Sequence, residues 1–246
     1  MLFDTHAHLL EANQEQLAAL TYPVLNVTSH LAQWQDAIRL SEQNPLIGCA
    51  LGIHPWFVNE TSFSDLTYLL QLLEWQEIAA IGEVGLDFQP AFQHTKERQL
   101  AIFESQLQLA VYFNKPVSIH VIKAHNEMLS LLKSYSVCGV IHGLGASLSL
   151  AKRYLDLDFK IGLNGVLCRQ NARRYREMVA HFDLAHFVLE TDYPNVVLPT
   201  EESADLADLF AIANCVAFIK NVSVTEVVEQ TRYNAHSIFS FTDIGR

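Results

Sequence analysis

The sequence predicts a (β/α)8 barrel, built as a single domain over residues 1–246. Three observations carry that expectation. Short β-rich runs alternate with longer helical patterns almost from end to end. The conspicuous histidines and carboxylates fall at the C-terminal ends of the β runs, which share one face in a barrel. No G-x-G-x-x-G follows an early strand, which removes the dinucleotide fingerprint of a doubly wound sheet, though not its topology. No repeat of solenoid period is present.

The first expected strand, Leu2–His8, contains the run FDTHAHL, residues 3–9. Phe3, Thr5 and Ala7 alternate with Asp4, His6 and His8, so both imidazoles project from one face. Imidazole is a poor choice for a packed face unless something binds it, and two imidazoles one strand step apart can converge on a metal ion. A helical pattern at Gln14–Leu20 leads to strand Val24–Thr28, and helix Leu31–Gln43 to strand Ile47–His54. Helix Phe63–Trp75 then precedes strand Ile78–Gly85. Lys96–Phe113 has the clearest helical spacing, with Leu100, Phe103, Leu107 and Ala110 on one side. Strands follow at Pro116–His120, Gly139–His142, Phe159–Asn164 and Phe187–Asp192, separated by helices at His125–Ser134, Leu148–Leu155 and Ala172–His181. Helices near Ala204–Lys220 and Val224–Phe239 close the chain.

Composition narrows the class. Half the residues are hydrophobic and 17% are charged, enough for a sizeable core, with no Pro/Ser-rich linker. The apolar runs are too short to span a membrane, and the N-terminus enters a strand directly without a signal-like segment. Cys49, Cys138, Cys168 and Cys215 are far apart and include no C-x-x-C pair. The expectation is buried free thiols in a cytoplasmic protein, without disulfides. A net charge of -11 repels DNA and membrane anions, so a phosphate substrate needs a local positive centre, which bound metal can supply.

The candidate site is a set of strand-end residues. His6 and His8 end strand one, His54 in GIHPW strand three, and Glu83 in IGEVGLD lies near the end of strand four. His120 in PVSIH, His142 in GVIHG and Asp192 in FVLETD end strands five, six and eight. Each has a bland reading: a lone histidine satisfied by hydrogen bonds, Glu83 paired with a basic neighbour, Asp192 as a helix cap. Those explanations are independent and would all have to hold at once.

The ordered set FDTHAHL, GIHPW, IGEVGLDF, PVSIH, GVIHG and LETDYP resembles the TatD-like metal-dependent deoxyribonucleases of the amidohydrolase superfamily. The resemblance covers nearly the whole chain, from Phe3 to the Asn234–Phe239 segment. It implies a TIM barrel holding two divalent cations (Mg2+, Mn2+ or Zn2+). His6, His8 and Asp192 would hold one, His120 and His142 the other, and Glu83 both. Such a set leaves open positions for water and substrate, and a bridging carboxylate suits in-line phosphate chemistry. Asp192 is the candidate for orienting the attacking water and taking its proton. Related enzymes of small esters often bridge with a carboxylated lysine; strand four offers Glu83 and no lysine. Glu190, two residues before Asp192, is expected behind a ligand histidine, with a salt bridge as the alternative. His54 is expected beside the cations as a substrate contact, or packed on Trp56.

Departures fall on the substrate side. An isoleucine, Ile122, stands where the family often has a phosphate-binding arginine; Lys123, one step on, is the candidate substitute, although it lacks the bidentate fork. His142-Gly143-Leu144-Gly145-Ala146 lacks the family's aromatic and hydroxyl, and residues 195–208 contain no basic residue. The resulting expectation is a metal-dependent hydrolase of phosphodiester bonds, a 3'-5' exonuclease on single-stranded DNA or fragments. No membrane and no obligate protein partner are expected. The rivals are hydrolysis of a small ester, amide or phosphoester, and a non-catalytic accessory protein that keeps the barrel.

Overall fold

In the computed structural model, which describes residues 1–241, eight strands close into a parallel barrel in sequence order. They are β1 (Asp4–Ala7), β2 (Val24–Val27), β3 (Ile47–Leu51), β4 (Ala80–Asp87), β5 (Val117–Ile122), β6 (Gly139–Ile141), β7 (Lys160–Leu163) and β8 (Phe187–Leu189). Closure is made where Asp4 of β1 pairs with Leu189 of β8. Helices α1 (Gln14–Ala18), α2 (Trp34–Gln43), α3 (Phe63–Trp75), α4 (Lys96–Tyr112), α5 (His125–Leu132), α6 (Leu148–Leu155) and α7 (Arg173–His181) alternate with the strands. α8 (Asp208–Lys220) and α9 (Val224–Ile238) follow β8. This is the (β/α)8 architecture that the alternation predicted. Among the described residues, no single helix is long and apolar enough to cross a membrane.

Two apolar layers build the barrel. Ile81, Val84 and Leu86 of β4, Val117 and Ile119 of β5 and Phe187 and Leu189 of β8 join the larger core shared with the helices. Leu25, Val27, Ala50, Ala80, Val140 and Val188 form a smaller cluster that Ala235 and Phe239 of the C-terminal helix region seal. Period-two alternation then assigns the next inward positions: Ser118 and His120 on β5, His142 beyond β6, Gly162 on β7 and Glu190 beyond β8. On β4 the alternation breaks. Counting from Ala80 would turn Glu83 toward the helices, but the register shifts between Ile81 and Val84 and turns it back inside.

The expected strand ends shift where side chains leave the ladder. β1 stops at Ala7, β3 at Leu51, β6 at Ile141 and β8 at Leu189, so His8, His54, His142 and Asp192 sit on the loops just beyond. β4 and β5 run further than expected, because Leu86 and Asp87 pair with Val121 and Ile122. The helix expected at Leu31–Gln43 opens with a 3-10 turn over Leu31–Gln33, and the one expected from Ala204 begins at Asp208.

The cysteine expectation is corrected. Cys168 and Cys215 form a disulfide with Cα atoms 5.7 Å apart, tying the turn after β7 to α8. Cys49 is a buried free thiol, whereas Cys138 is free but exposed.

Candidate metal centre

Glu83 stands at the centre of the barrel mouth with five imidazoles around its carboxylate. His6 Nε2 and His8 Nε2 approach Oε2 at 3.7 and 3.6 Å. His120 Nδ1, His142 Nε2 and His54 Nε2 approach Oε1 at 3.1, 3.2 and 3.5 Å. Asp192 closes the near side, its Oδ1 3.9 Å from His8 Nε2. Its backbone is left-handed (φ 54°), a conformation aspartate tolerates better than most residues, and its amide donates to the His6 carbonyl at 2.9 Å. All six residues expected to hold metal, and His54, therefore meet in one place.

The electrostatics are those of a carboxylate surrounded by bases. Burial works to raise the Glu83 carboxyl, but His54, His6, His142 and His120 outweigh it and hold it well below the usual carboxylate range. Burial likewise works against a charged His142, yet Glu83 and Glu190 together carry that imidazole well above its ordinary value. His54 goes the other way: burial takes it down to about 3 despite the pull of Glu83. The His6 and His142 rings lie nearly parallel, centroids 4.0 Å apart, an arrangement unfavourable for two imidazolium cations.

The donors fit divalent cations. Three groups have ligand atoms within 4.8 Å of one another: His6, His142 and Asp192; His6, His8 and Glu83; and His54, Glu83 and His120. His6 Nε2 is buried with no hydrogen-bond partner, a costly arrangement for a polar atom unless an ion takes it. The other nitrogen, Nδ1, is 3.0 Å from Ser118 Oγ, which fixes the ring.

A ring of supporting groups lies behind the histidines. Glu190 Oε1 accepts from the Gly143 amide at 2.7 Å and stands 3.4 Å from His142 Nδ1, an electrostatic approach without hydrogen-bond geometry. Gly162 has to be glycine here: a Cβ would fall on the Glu190 carboxylate. Asp87, which was not singled out in the sequence, accepts from Trp56 Nε1 at 2.8 Å and stands 3.4 Å from His120 Nε2. Its signal was parity with Glu83 along β4. Asp4 was also missed. It is fully buried and clamps the amides of His6 and Thr191 at 3.1 and 3.0 Å and the Thr191 hydroxyl at 2.6 Å. Burial pushes its carboxyl up to about 7 against those hydrogen bonds.

Lys123 is different. It is exposed, with φ 54°, and among the described residues no hydrogen bond or ion pair joins it to the cluster. His125 turns away, with Nδ1 2.9 Å from the Tyr154 hydroxyl.

Comparison with known proteins places this architecture among relatives. The family described as "TatD related DNase" matches residues 3–240. An "Uncharacterized metal-dependent hydrolase" of Haemophilus influenzae is 35% identical over 79% of this chain and 81% of the relative. A "3'-5' ssDNA/RNA exonuclease TatD" of Erwinia amylovora is 29% identical over 83% of each. The crystal structure of the TatD homologue YjjV from Escherichia coli superposes with a TM-score of 0.89 at 27% identity, covering 97% of both chains.

Proposed function

The chain belongs to the TatD related DNase family, and from that premise we propose that it is a deoxyribonuclease, a 3'-5' exonuclease on single-stranded DNA or short fragments. That it is a metal-dependent hydrolase of ester bonds follows from the family; the nucleic-acid substrate, the direction and the number of ions are the proposal. The substrate and direction follow the relative named as a 3'-5' ssDNA/RNA exonuclease, and one observation of the site carries the two-ion chemistry. The two oxygens of Glu83 divide the cluster, Oε2 toward His6 and His8, Oε1 toward His54, His120 and His142, as a carboxylate shared by two cations would.

In this reading His6, His8 and Asp192 would hold one ion, His120 and His142 the other, and Glu83 both. His54 completes the Oε1 side, as a further ligand or as a group facing the phosphate. Divalent cations bound there supply Lewis acidity, making water more acidic and neutralising charge on phosphoryl oxygens. Asp192, held by Asn195 Nδ2 at 3.1 Å, orients the attacking water and takes its proton as the new P–O bond forms and the bond to the departing sugar oxygen breaks. Ser118 and Asp87 keep the His6 and His120 rings from rotating, and Glu190 faces His142. Burial of Glu83, His6, His54, His120 and Asp192 strengthens each of these interactions.

The test is incubation of the loaded protein with end-labelled single-stranded DNA and Mg2+ or Mn2+, with and without EDTA. Ladders shortening from the 3' end, lost with EDTA and in Asp192→Ala, are expected. No metal-dependent products from protein shown to carry cations would overturn the nuclease reading. A second reading, hydrolysis of a small phosphoester or carboxylic ester, is favoured by one observation: Ile122 and the uncoupled Lys123 leave no cation beside the cluster on β5. Chromogenic esters separate the two.

A further inference from the structure

We propose that the open face of Trp56 is the stacking platform for an unpaired nucleobase whose neighbouring phosphate lies at the histidine cluster. The proposal rests on the nuclease reading and names the part of the substrate recognised apart from its phosphate.

The indole is fixed on three sides. It sits in the 3-10 turn Pro55–Glu60 that leaves β3, immediately after His54. Nε1 donates to Asp87 at 2.8 Å, and the ring lies nearly parallel to Phe92, centroids 5.0 Å apart at 14°. It makes T-shaped contacts with His54 and His120, centroids 4.9 and 6.3 Å away, two of the three imidazoles on the Oε1 side of Glu83. Despite these contacts Trp56 remains 49% exposed. A tryptophan with a purely packing role looks different in this fold: Trp34 is fully buried, with its Nε1 on the Gly52 carbonyl. Trp75, the other exposed indole, has no hydrogen bond or ring partner among the described residues. Only Trp56 combines an open surface with a fixed plane beside the candidate metal centre.

Charge leads to the same place. The chain carries -11, residue 122 is isoleucine, and residues 195–208 hold no cation to grip a sugar-phosphate backbone. Beyond what bound cations give the phosphate, affinity for a nucleotide then needs a contact that charge does not govern. Base-on-indole stacking is such a contact; it tolerates any sequence and requires a base free of its neighbours, hence a single-stranded end. Because Asp87 and Phe92 hold the ring before substrate arrives, little ordering is lost on binding.

The test is a double-mutant cycle on the loaded enzyme, with single-stranded DNA whose 3'-terminal nucleotide is intact or abasic. Removing the base is expected to raise KM about tenfold in the wild type, within the range of one base–aromatic stack, and hardly at all in Trp56→Ala. Trp56→Phe keeps a ring against Phe92 and should recover part of the difference. Saturable quenching of indole fluorescence by dAMP, absent with ribose 5-phosphate and lost in Trp56→Phe, reports stacking without turnover. Equal abasic penalties in wild type and Trp56→Ala, or dAMP quenching unchanged in Trp56→Phe, would overturn the platform. A wild type that cuts no DNA at all overturns instead the nuclease reading, and the dAMP titration still decides whether Trp56 binds a base.

Discussion

Asp87 stands directly behind His120. Its Oδ2 is 3.4 Å from Nε2 of a ring whose Nδ1 faces Glu83 at 3.1 Å, so the imidazole is held between two carboxylates. The same Oδ2 accepts from Trp56 Nε1, and Oδ1 accepts from the Gln89 amide at 2.9 Å. Burial works to raise this carboxyl, but hydrogen bonds from His120, Trp56 and Gln89 hold it well below the usual carboxylate range. A charged carboxylate in that position sets the ring's orientation and raises its basicity toward a cation. Asp87→Asn keeps the shape and removes the charge. Metal affinity, read by competition with a fluorescent chelator, is expected to fall about 10–100-fold. Unchanged affinity would confine Asp87 to holding Trp56.

Glu83 offers a sharper test of how many ions the mouth holds. Its two oxygens face different histidines, so a single isosteric change acts on both halves of the cluster. Glu83→Gln is expected to leave dialysed protein with no retained metal by elemental analysis, and the wild type is expected to keep two ions per chain. Hydrolysis should fall with the metal. Wild-type stoichiometry in the variant would exclude a bridging carboxylate. An intermediate value of one ion would show that Glu83 serves one half only.

The parts of this site legible in the sequence were those governed by period. Alternation put His6 and His8 on one face of the first expected strand, and β-rich runs separated by helices gave the closed order of strands. Strand-end position singled out His120 and His142. What alternation could not give was β4. Its register shift is a property of the pairing with β5, and only that shift brings Glu83 inside among the histidines. Asp87 was hidden because it lies beyond the expected end of strand four at Gly85, although it shares parity with Glu83. Trp56 read as a packing partner because exposure is not encoded locally. Cys168 and Cys215 lie 47 residues apart on different elements, and only the closed barrel brings the turn after β7 against α8.

His125 gives a pH signature away from the candidate metal ligands. Its Nδ1 meets the Tyr154 hydroxyl at 2.9 Å, and burial, with Arg153 adding to it, lowers its pKa from the ordinary 6.5. The unfolded chain therefore takes up a proton near pH 6.5 that the folded site resists. The stability from keeping His125 neutral is complete above that value and is lost as pH falls toward the folded pKa. Thermal unfolding of wild type and His125→Gln from pH 8 to 5 isolates this contribution from that of the barrel mouth. The wild type is expected to be the more stable at pH 8, with the gap narrowing steadily below pH 6.5. A gap independent of pH would show that the packing of His125, not its titration, sets the difference.

The Cys168–Cys215 bond predicts a thiol count. Protein purified in air and unfolded without reductant should show two reactive thiols, from Cys49 and Cys138, and four after reduction. In the folded state only Cys138 should react quickly, because it is exposed. Cys49 is buried, burial pushes its thiol up to about 12, and the thiolate is the reactive form. A crosslink closing a loop of this span stabilises by about 2–4 kcal/mol, chiefly by restricting the unfolded chain. Cys215→Ser should therefore unfold at a lower temperature than the wild type under oxidising conditions, and the difference should disappear in reductant. The disulfide joins the turn Gly165–Cys168, whose Gly165 packs against Val196 and Leu198 beyond Asp192, to a helix on the outside of the barrel. Four thiols in the oxidised, unfolded protein would remove the crosslink, and the β7 turn would then be held by packing alone.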